Sequence, residues 1–251
     1  MCRHLAYLGE QADLATLLCE PPHSLLRQSF APADMRGGGT INADGFGVGW
    51  YEPGREEPRR YRRATAMWAD PSFASLAPTV RSDAVLGAVR SATAGMPIVE
   101  TACAPFARGP WLFSHNGVVA GWPDSVARLA RTLPVVDLMT LDAPTDSALL
   151  WALVHHRLRE GASAAEALAT VTGDVVAAAP GSRCNLLLTD GTTVTATAVY
   201  HSLWARVDGS AVLVASEPTD AAPDWAPVAE GHLLTASAST VDVAPIRSKE
   251  P

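Results

Sequence analysis

The chain opens Met1-Cys2-Arg3-His4-Leu5-Ala6-Tyr7-Leu8, a cysteine directly behind the initiator methionine and then an alternating, strand-like run. A small second residue favours removal of Met1, which would leave Cys2 with both a free thiol and a free α-amine. An α-amine has a pKa of roughly 7.7 to 8.0, so part of it is neutral near pH 7 and can take the thiol proton without a histidine. The ordinary alternative is a small buried cysteine in an N-terminal strand. The rest of the chain has to decide between the two.

Outward from that strand, Leu14, Leu17 and Leu18 lie on one face of a short helix over Asp13–Glu20, which Asp13 can cap and Pro21-Pro22 stops. A helical turn over Ser24–Phe30 leads to the loop Met35-Arg36-Gly37-Gly38-Gly39-Thr40, which can bring backbone close to a neighbour. In Asn42–Tyr51 the glycines Gly45, Gly47 and Gly49 alternate with Phe46, Val48 and Trp50, so the strand's small face must lie against something close. Tyr51–Arg63 reads as a hairpin turning at Pro53-Gly54, with its arginines on an exposed edge. Pro71–Thr79 reads as a helix, and Ala84–Ser91 as a buried strand with Arg90 near its end.

Trp111–Val119 reads as a strand, a tight Asn116-Gly117 turn and the start of the next strand, and Pro123–Leu133 as an amphipathic helix. Two longer helices, Asp146–Arg159 and Ser163–Ala179, should pack on a sheet. Strands follow at Asn185–Thr189, Thr193–Val199, Leu203–Val207, Ala211–Ser216 and Leu233–Ala236, with Asp190-Gly191 and Asp208-Gly209 as turns. Strands, then helices, then strands predict an α+β fold with largely antiparallel sheets in one domain over residues 1–251, frayed at Ser248–Pro251.

Of the 251 residues 48% are hydrophobic and 18% charged, a globular composition. The formal charge of −7, with Lys249 as the only lysine, excludes a phosphate-binding footprint and hence nucleic acid. No run is long and apolar enough for a bilayer span, and the N-terminus lacks a signal-peptide pattern, so a cytoplasmic protein without a membrane partner is expected. Cys2, Cys19, Cys103 and Cys184 form no C-x-x-C pair, so neither a metal site nor a disulfide framework is indicated, and the last three read as buried packing. His155-His156 reads as one packed and one solvated ring rather than a metal pair.

Cys2 is followed by Val89-Arg90-Ser91-Ala92-Thr93-Ala94-Gly95, Ser114-His115-Asn116-Gly117 and Thr145-Asp146-Ser147. These stretches, in this order, resemble the class II glutamine amidotransferase domain, an N-terminal-nucleophile (Ntn) hydrolase. The resemblance implies a four-layer αββα sandwich, a small-molecule γ-glutamyl substrate and no cofactor. It makes Cys2 the nucleophile and Asn116 and Gly117 the oxyanion donors, through a side-chain amide and a backbone N–H. Arg90 would offer a planar, permanently charged fork to the substrate α-carboxylate, and Asp146 would take the α-ammonium. Thr93 and His115 complete the implied binding set, and Asn42, Asp44 and Arg36 are implied as supporting residues.

Each motif also has a plainer reading. A strand-end arginine pairs with a surface acid, Asn-Gly makes a hairpin, and Thr145-Asp146 caps a helix. The glycine-rich run precedes a strand rather than a helix, which discounts a nucleotide.

Met1–Gly9, Pro21–Leu25 and Met35–Thr40 are similar to the stand-alone γ-glutamyl amidases of ergothioneine biosynthesis, and the likeness uses nearly all of the chain, leaving no room for a synthase domain. It implies hydrolysis of γ-glutamyl-hercynylcysteine S-oxide to glutamate and hercynylcysteine S-oxide. The alternatives are a glutaminase subunit feeding a separate synthase and a non-catalytic γ-glutamyl-binding domain. For reading the leaving part, His201-Ser202, Ser216-Glu217-Pro218 and Arg36 are further candidates, beside plain strand-edge and turn roles.

Overall fold

The computed structural model describes residues 2–36, 38–39 and 41–246. Met1, Gly37, Thr40 and the tail expected to fray, Ser248–Pro251, lie outside the described residues. In chain order the elements are β1 (Arg3–Asp13), α1 (Leu14–Leu18), α2 (Leu25–Gln28), β2 (Phe46–Trp50), β3 (Arg59–Arg63), α3 (Pro71–Leu76), β4 (Arg81–Val89), β5 (Phe106–Arg108) and β6 (Trp111–Val118). Then come α4 (Ala127–Ala130), α5 (Val135–Met139), α6 (Asp146–Arg159), α7 (Ala164–Ala178), β7 (Arg183–Thr189), β8 (Val194–Ala198), β9 (Trp204–Asp208), β10 (Ala211–Ala215), β11 (Ala226–Pro227), β12 (His232–Ser237) and β13 (Thr240–Pro245).

Two sheets result, one in the order β11-β9-β10-β1-β4-β2-β3 and one in the order β13-β12-β8-β7-β6-β5. The pairings around the site, β1 with β10 and β4, and β6 with β5 and β7, are antiparallel. The alternation in β1 sets the layering, because side chains of period two point to opposite faces. Leu5 and Tyr7 pack with Leu14, Leu18, Leu25 and Phe73 under α1 to α3. Ala6 and Leu8 instead meet Leu112, Leu187 and Leu234 of the second sheet. The far face of that sheet carries α6 and α7, with Phe113 stacked on Trp151 at 5.3 Å between centroids. The molecule is therefore a four-layer αββα sandwich, and each leucine buried in it contributes roughly 1.5 to 3 kcal/mol.

Local chemistry sets the helix starts. Asp13, Ser24, Asp70 and Thr145 accept from backbone N–H groups in the first turns of α1, α2, α3 and α6, and Ser163 with Glu166 forms a capping box on α7. The small face of β2 meets the second sheet and its connection: a Cβ at Gly47 would lie 2.3 Å from the Ala104 carbonyl oxygen, and one at Gly49 would lie 2.6 Å from Leu112 Cδ1. β3 is an edge strand, as its arginines suggested. Cys103 and Cys184 are fully buried, and Cys19 is half-buried with its thiol pushed up to about 11 by burial.

Three expectations need correction. The strand through Asn116-Gly117 does not turn: β6 continues to Val118, with Asn116 opposite Asn185 and Gly117 opposite Cys184. The predicted helix over Pro123–Leu133 is a 3-10 turn over Asp124–Val126 joined to the single turn α4, because Val126 leaves helical geometry at φ −108°, ψ 7°. His155 and His156 are both half-buried, the first packed on Trp151 and the second 3.4 Å from Glu160. No helix among the described residues is long and apolar enough to cross a membrane.

Candidate active site

Strand register brings Cys2 to Arg90. Arg3 pairs with Val89, so Cys2 and Arg90 are the next residues out on adjacent strands, at the end of the gap between the sheets. Cys2 is half-buried, with Sγ 3.8 Å from the Ser91 carbonyl oxygen. Its main chain is fixed by the buried Arg3, which donates to the Cys2 carbonyl at 3.0 Å, to the Asp34 carbonyl, and to Glu217 Oε1 at 2.7 Å. Glu217 also holds His23 and the Ala33 N–H, each at 2.7 Å. Glu217 and Pro218 thus line a cleft on the outer face of the first sheet, together with Arg36 and Trp204.

The Arg90 side chain makes one hydrogen bond among the described residues, to the Asp44 carbonyl at 3.5 Å, and no ion pair. An arginine fork left this open suits an anionic ligand. Asp44 holds the loop that follows: its N–H donates to the Arg90 carbonyl at 3.0 Å and its Oδ2 accepts from Ala92 N at 2.8 Å. Asn42 is buried one layer behind, donating from its backbone to the Ser29 carbonyl at 2.7 Å. Arg36 lies further out, bonded to Asp34 Oδ2 at 2.8 Å and to the Tyr200 carbonyl at 3.2 Å. Tyr200 itself sits at φ +82°, a strained position for a residue with a Cβ, and its ring lies under the Arg183 guanidinium at 5.0 Å.

β6 presents its residues alternately to the two neighbouring layers. Ser114 and Asn116 point toward the first sheet, where Ser114 Oγ meets His4 Nδ1 at 3.2 Å and Asn116 Nδ2 donates to Ser216 Oγ at 3.3 Å. His115 points the other way. Its Nε2 meets the Arg183 carbonyl at 2.9 Å and its Nδ1 meets Ser147 Oγ at 3.0 Å. A carbonyl only accepts, so Nε2 carries a proton. Both ring nitrogens of His115 thus have partners within the protein. His115 ties β6 to β7 and to the start of α6.

Gly117 is required by close approach rather than by a turn, since a Cβ there would lie 1.8 Å from the Arg183 carbonyl oxygen. Asp146 is buried at the start of α6. Its Oδ1 accepts from Ser147 N at 2.7 Å and from Ser147 Oγ at 3.3 Å, while its Oδ2 accepts only from Val119 N at 3.0 Å among the described residues, which leaves a lone pair on Oδ2 for a further donor.

Cys2 and Arg90 line a space of only about 20 Å³ with His115 and Ser147, and a cleft of about 200 Å³ has Gly38, Ser91, Thr93, Gly117, Arg183 and His201 in its walls. Thr93 and Val118 also line a neighbouring groove of about 460 Å³. Nearby imidazoles are weak bases. Burial first, then the charges of His115, His201 and Arg3, brings His4 down to about 3, and burial, Arg183 and Arg3 bring His201 to about 3. Among the described residues no cluster of His, Cys, Asp or Glu could hold a metal ion. Sequence reasoning missed Arg183, His4 and Ser114, because their role follows from pairings between the sheets and from no local pattern.

Residues 12–207 match the profile of the class-II glutamine amidotransferases. The chain belongs to that family. It is 38% identical to the gamma-glutamyl-hercynylcysteine sulfoxide hydrolase of Mycolicibacterium smegmatis over 98% of this chain and 100% of that protein. It is 39% identical to the protein of the same name from Mycobacterium tuberculosis, over the whole of both chains. Among solved structures it resembles a class-II glutamine aminotransferase domain protein from Silicibacter pomeroyi, at a TM-score of 0.67 and 25% identity, covering 98% of this chain and 100% of that one. The glutamine phosphoribosylpyrophosphate amidotransferase of B. subtilis shares the fold at a TM-score of 0.63 and 14% identity, over 98% of this chain and 49% of that one. A class II glutamine amidotransferase domain accordingly frames the pairing of Cys2 with Arg90 and of Asn116 with Ser216.

Proposed function

We propose that this amidotransferase-family chain is an amidohydrolase that cleaves γ-glutamyl-hercynylcysteine sulfoxide to glutamate and hercynylcysteine sulfoxide, with Cys2 as nucleophile once Met1 is removed. The observation that carries the reading is the identity of 38 to 39% to hydrolases of that name, over essentially the full length of both partners. The site's chemistry is compatible with it. We place the reaction in the cytoplasm, where the four free cysteines would stay reduced.

In the proposed reaction the Cys2 amine takes the thiol proton, directly or through one water, and the thiolate attacks the γ-carbonyl carbon. His4 and His201, both held near 3, and His115, with both nitrogens bonded, leave that task to the amine. The charge on the carbonyl oxygen falls to Asn116 Nδ2 and the Gly117 N–H, one such donor being worth roughly 2.7 to 4 kcal/mol of barrier. Arg90 and Thr93 hold the α-carboxylate and Asp146 the α-ammonium. The protonated amine then gives its proton to the departing nitrogen, leaving a thioester on Cys2. Water, deprotonated by the same amine, attacks the thioester, releases glutamate and restores the thiol.

Two measurements test this. Intact-protein mass after incubation with a γ-glutamyl electrophile should show one adduct on protein lacking Met1, and none on Cys2→Ala, whose kcat should fall by about 10⁴-fold or more. Glutamate release should be faster from the γ-glutamyl sulfoxide than from free glutamine. Cys2→Ala with undiminished turnover would sink the mechanism, and a preference for free glutamine would point to a glutaminase subunit.

A further inference from the structure

The first sheet lacks one rung beside the site. Ser216 follows β10 and donates its N–H to the His4 carbonyl at 2.9 Å, as an antiparallel partner does. The return bond goes elsewhere. His4 N–H donates to Ser216 Oγ at 3.0 Å, while the Ser216 carbonyl accepts from the Ser202 hydroxyl at 2.8 Å. That same Oγ receives Asn116 Nδ2 from across the gap between the sheets at 3.3 Å. Ser216 and Asn116 are each 1% exposed, so no solvent competes for these bonds. One buried hydroxyl therefore joins the main chain two residues beyond Cys2 to the side-chain amide of Asn116.

We propose that Ser216 is a positioning residue, whose hydroxyl holds the Asn116 carboxamide so that one N–H is fixed by Ser216 and the other is left for the oxyanion. This rests on the reading of Asn116 as an oxyanion donor. The carboxamide has no other anchor among the described residues, because Asn116 Oδ1 has no partner. Without the hydroxyl the amide is free to rotate about χ2, a torsion with broad wells. An oxyanion donor acts only if it is in place before charge develops, and displacement by about 1 Å can cost roughly 100-fold in rate. Anchoring both His4 N and Asn116 on one oxygen also keeps nucleophile strand and donor at a fixed separation, although they lie on different sheets.

The test is a double-mutant cycle on the full chain, with kcat and KM measured by glutamate release for wild type, Ser216→Ala, Asn116→Ala and the double variant. Ser216→Ala should lower kcat by roughly 10- to 100-fold with KM changed less than about threefold. In the Asn116→Ala background the same change should alter kcat less than about twofold, because there is no amide left to position. An unchanged kcat in Ser216→Ala, or an equal loss in both backgrounds, overturns the proposal. Asn116→Ala with wild-type kcat would instead overturn the oxyanion reading on which it rests. If Ser216→Ala does not fold, Ser216→Cys, similar in size with a poor acceptor, goes through the same cycle, where wild-type kcat rejects the proposal and a lowered kcat that vanishes in the Asn116→Ala background supports it.

Discussion

The layer between the two sheets has two ends that the same strands build in opposite ways. Along most of its length it is hydrocarbon, with Ala6, Leu8, Leu86, Leu112, Leu187 and Leu234 filling the gap. At the end near Cys2 it holds the buried polar groups His4, Ser114, Asn116, His201 and Ser216. The switch takes one step of the alternation: β1 turns from His4 to Ala6, and β6 from Leu112 to Ser114. His4 Nε2, Asn116 Oδ1 and His201 Nδ1 have no partner among the described residues. Each such buried atom costs roughly 1 to 3 kcal/mol. The apolar end thus buries hydrocarbon between the sheets, while the polar end carries buried groups without partners among the described residues.

The sharpest way to break this division is to add one carbon at the polar end. Gly117→Ala puts Cβ 1.8 Å from the Arg183 carbonyl oxygen and 2.5 Å from His115 Nε2, so β6 and β7 must part. The clash is with backbone, which has no rotamer to escape into. Stability should fall by roughly 3 kcal/mol, the upper end of ordinary over-packing, and kcat by about 100-fold or more as the oxyanion donors move. Urea unfolding together with glutamate release measures both. Wild-type kcat in a folded Gly117→Ala protein would separate this end of β6 from catalysis.

That glycine also marks the limit of what the sequence made legible. Helices α1, α6 and α7 and the glycine face of β2 could be read because period, caps and close packing are written locally. Asn116-Gly117 and Asp190-Gly191 carry the same turn signature, yet only the second turns, with Gly191 at φ +88° and Asp190 Oδ1 accepting from Thr192 N and Thr193 N. Gly117 instead serves a contact with Arg183 on the neighbouring strand, and no window around residue 117 contains it. The bonds from Asn116 and His4 to Ser216 span 100 and 212 residues of chain, which is why Ser216 stood out only as the end of a strand and a candidate for reading the leaving part. β13 and α5 were missed for the opposite reason: β13 is almost wholly exposed, and Val135, Val136 and Met139 of α5 face solvent, so neither shows a clean amphipathic pattern.

The apolar end should respond to mutation in stability alone. Leu112 is fully buried and packs against β2, where a Cβ at Gly49 would meet its two methyl groups at 2.6 and 2.8 Å. Leu112→Ala removes that filling without touching a polar group of the site and should cost about 2 to 5 kcal/mol by urea unfolding. The kcat of the folded fraction should stay within about twofold. A large kcat loss at unchanged KM would show that the two ends are mechanically coupled, and the division drawn above would fail.

Proton linkage separates the ends without altering covalent structure at the site. His4 stays neutral in the folded chain down to about pH 3, chiefly through burial and then through His115, His201 and Arg3, whereas in the unfolded chain it protonates near 6.5. Between these values the unfolded state binds more protons, so stability falls as pH falls. The slope approaches 1.4 kcal/mol per pH unit for His4, and His201 adds to it with the same sign. Carboxylates of the unfolded chain titrate near pH 4, so the range from about 6.5 to 5.5 isolates the imidazoles. Urea midpoints should drop steadily over that range. Leu112→Ala should shift the whole profile down with its slope intact, because hydrocarbon carries no proton, while His4→Gln should lower the slope and leave the part that His201 contributes. A flat wild-type profile, or a slope that follows Leu112 rather than His4, would mean that the polar end is more open to water than its burial implies.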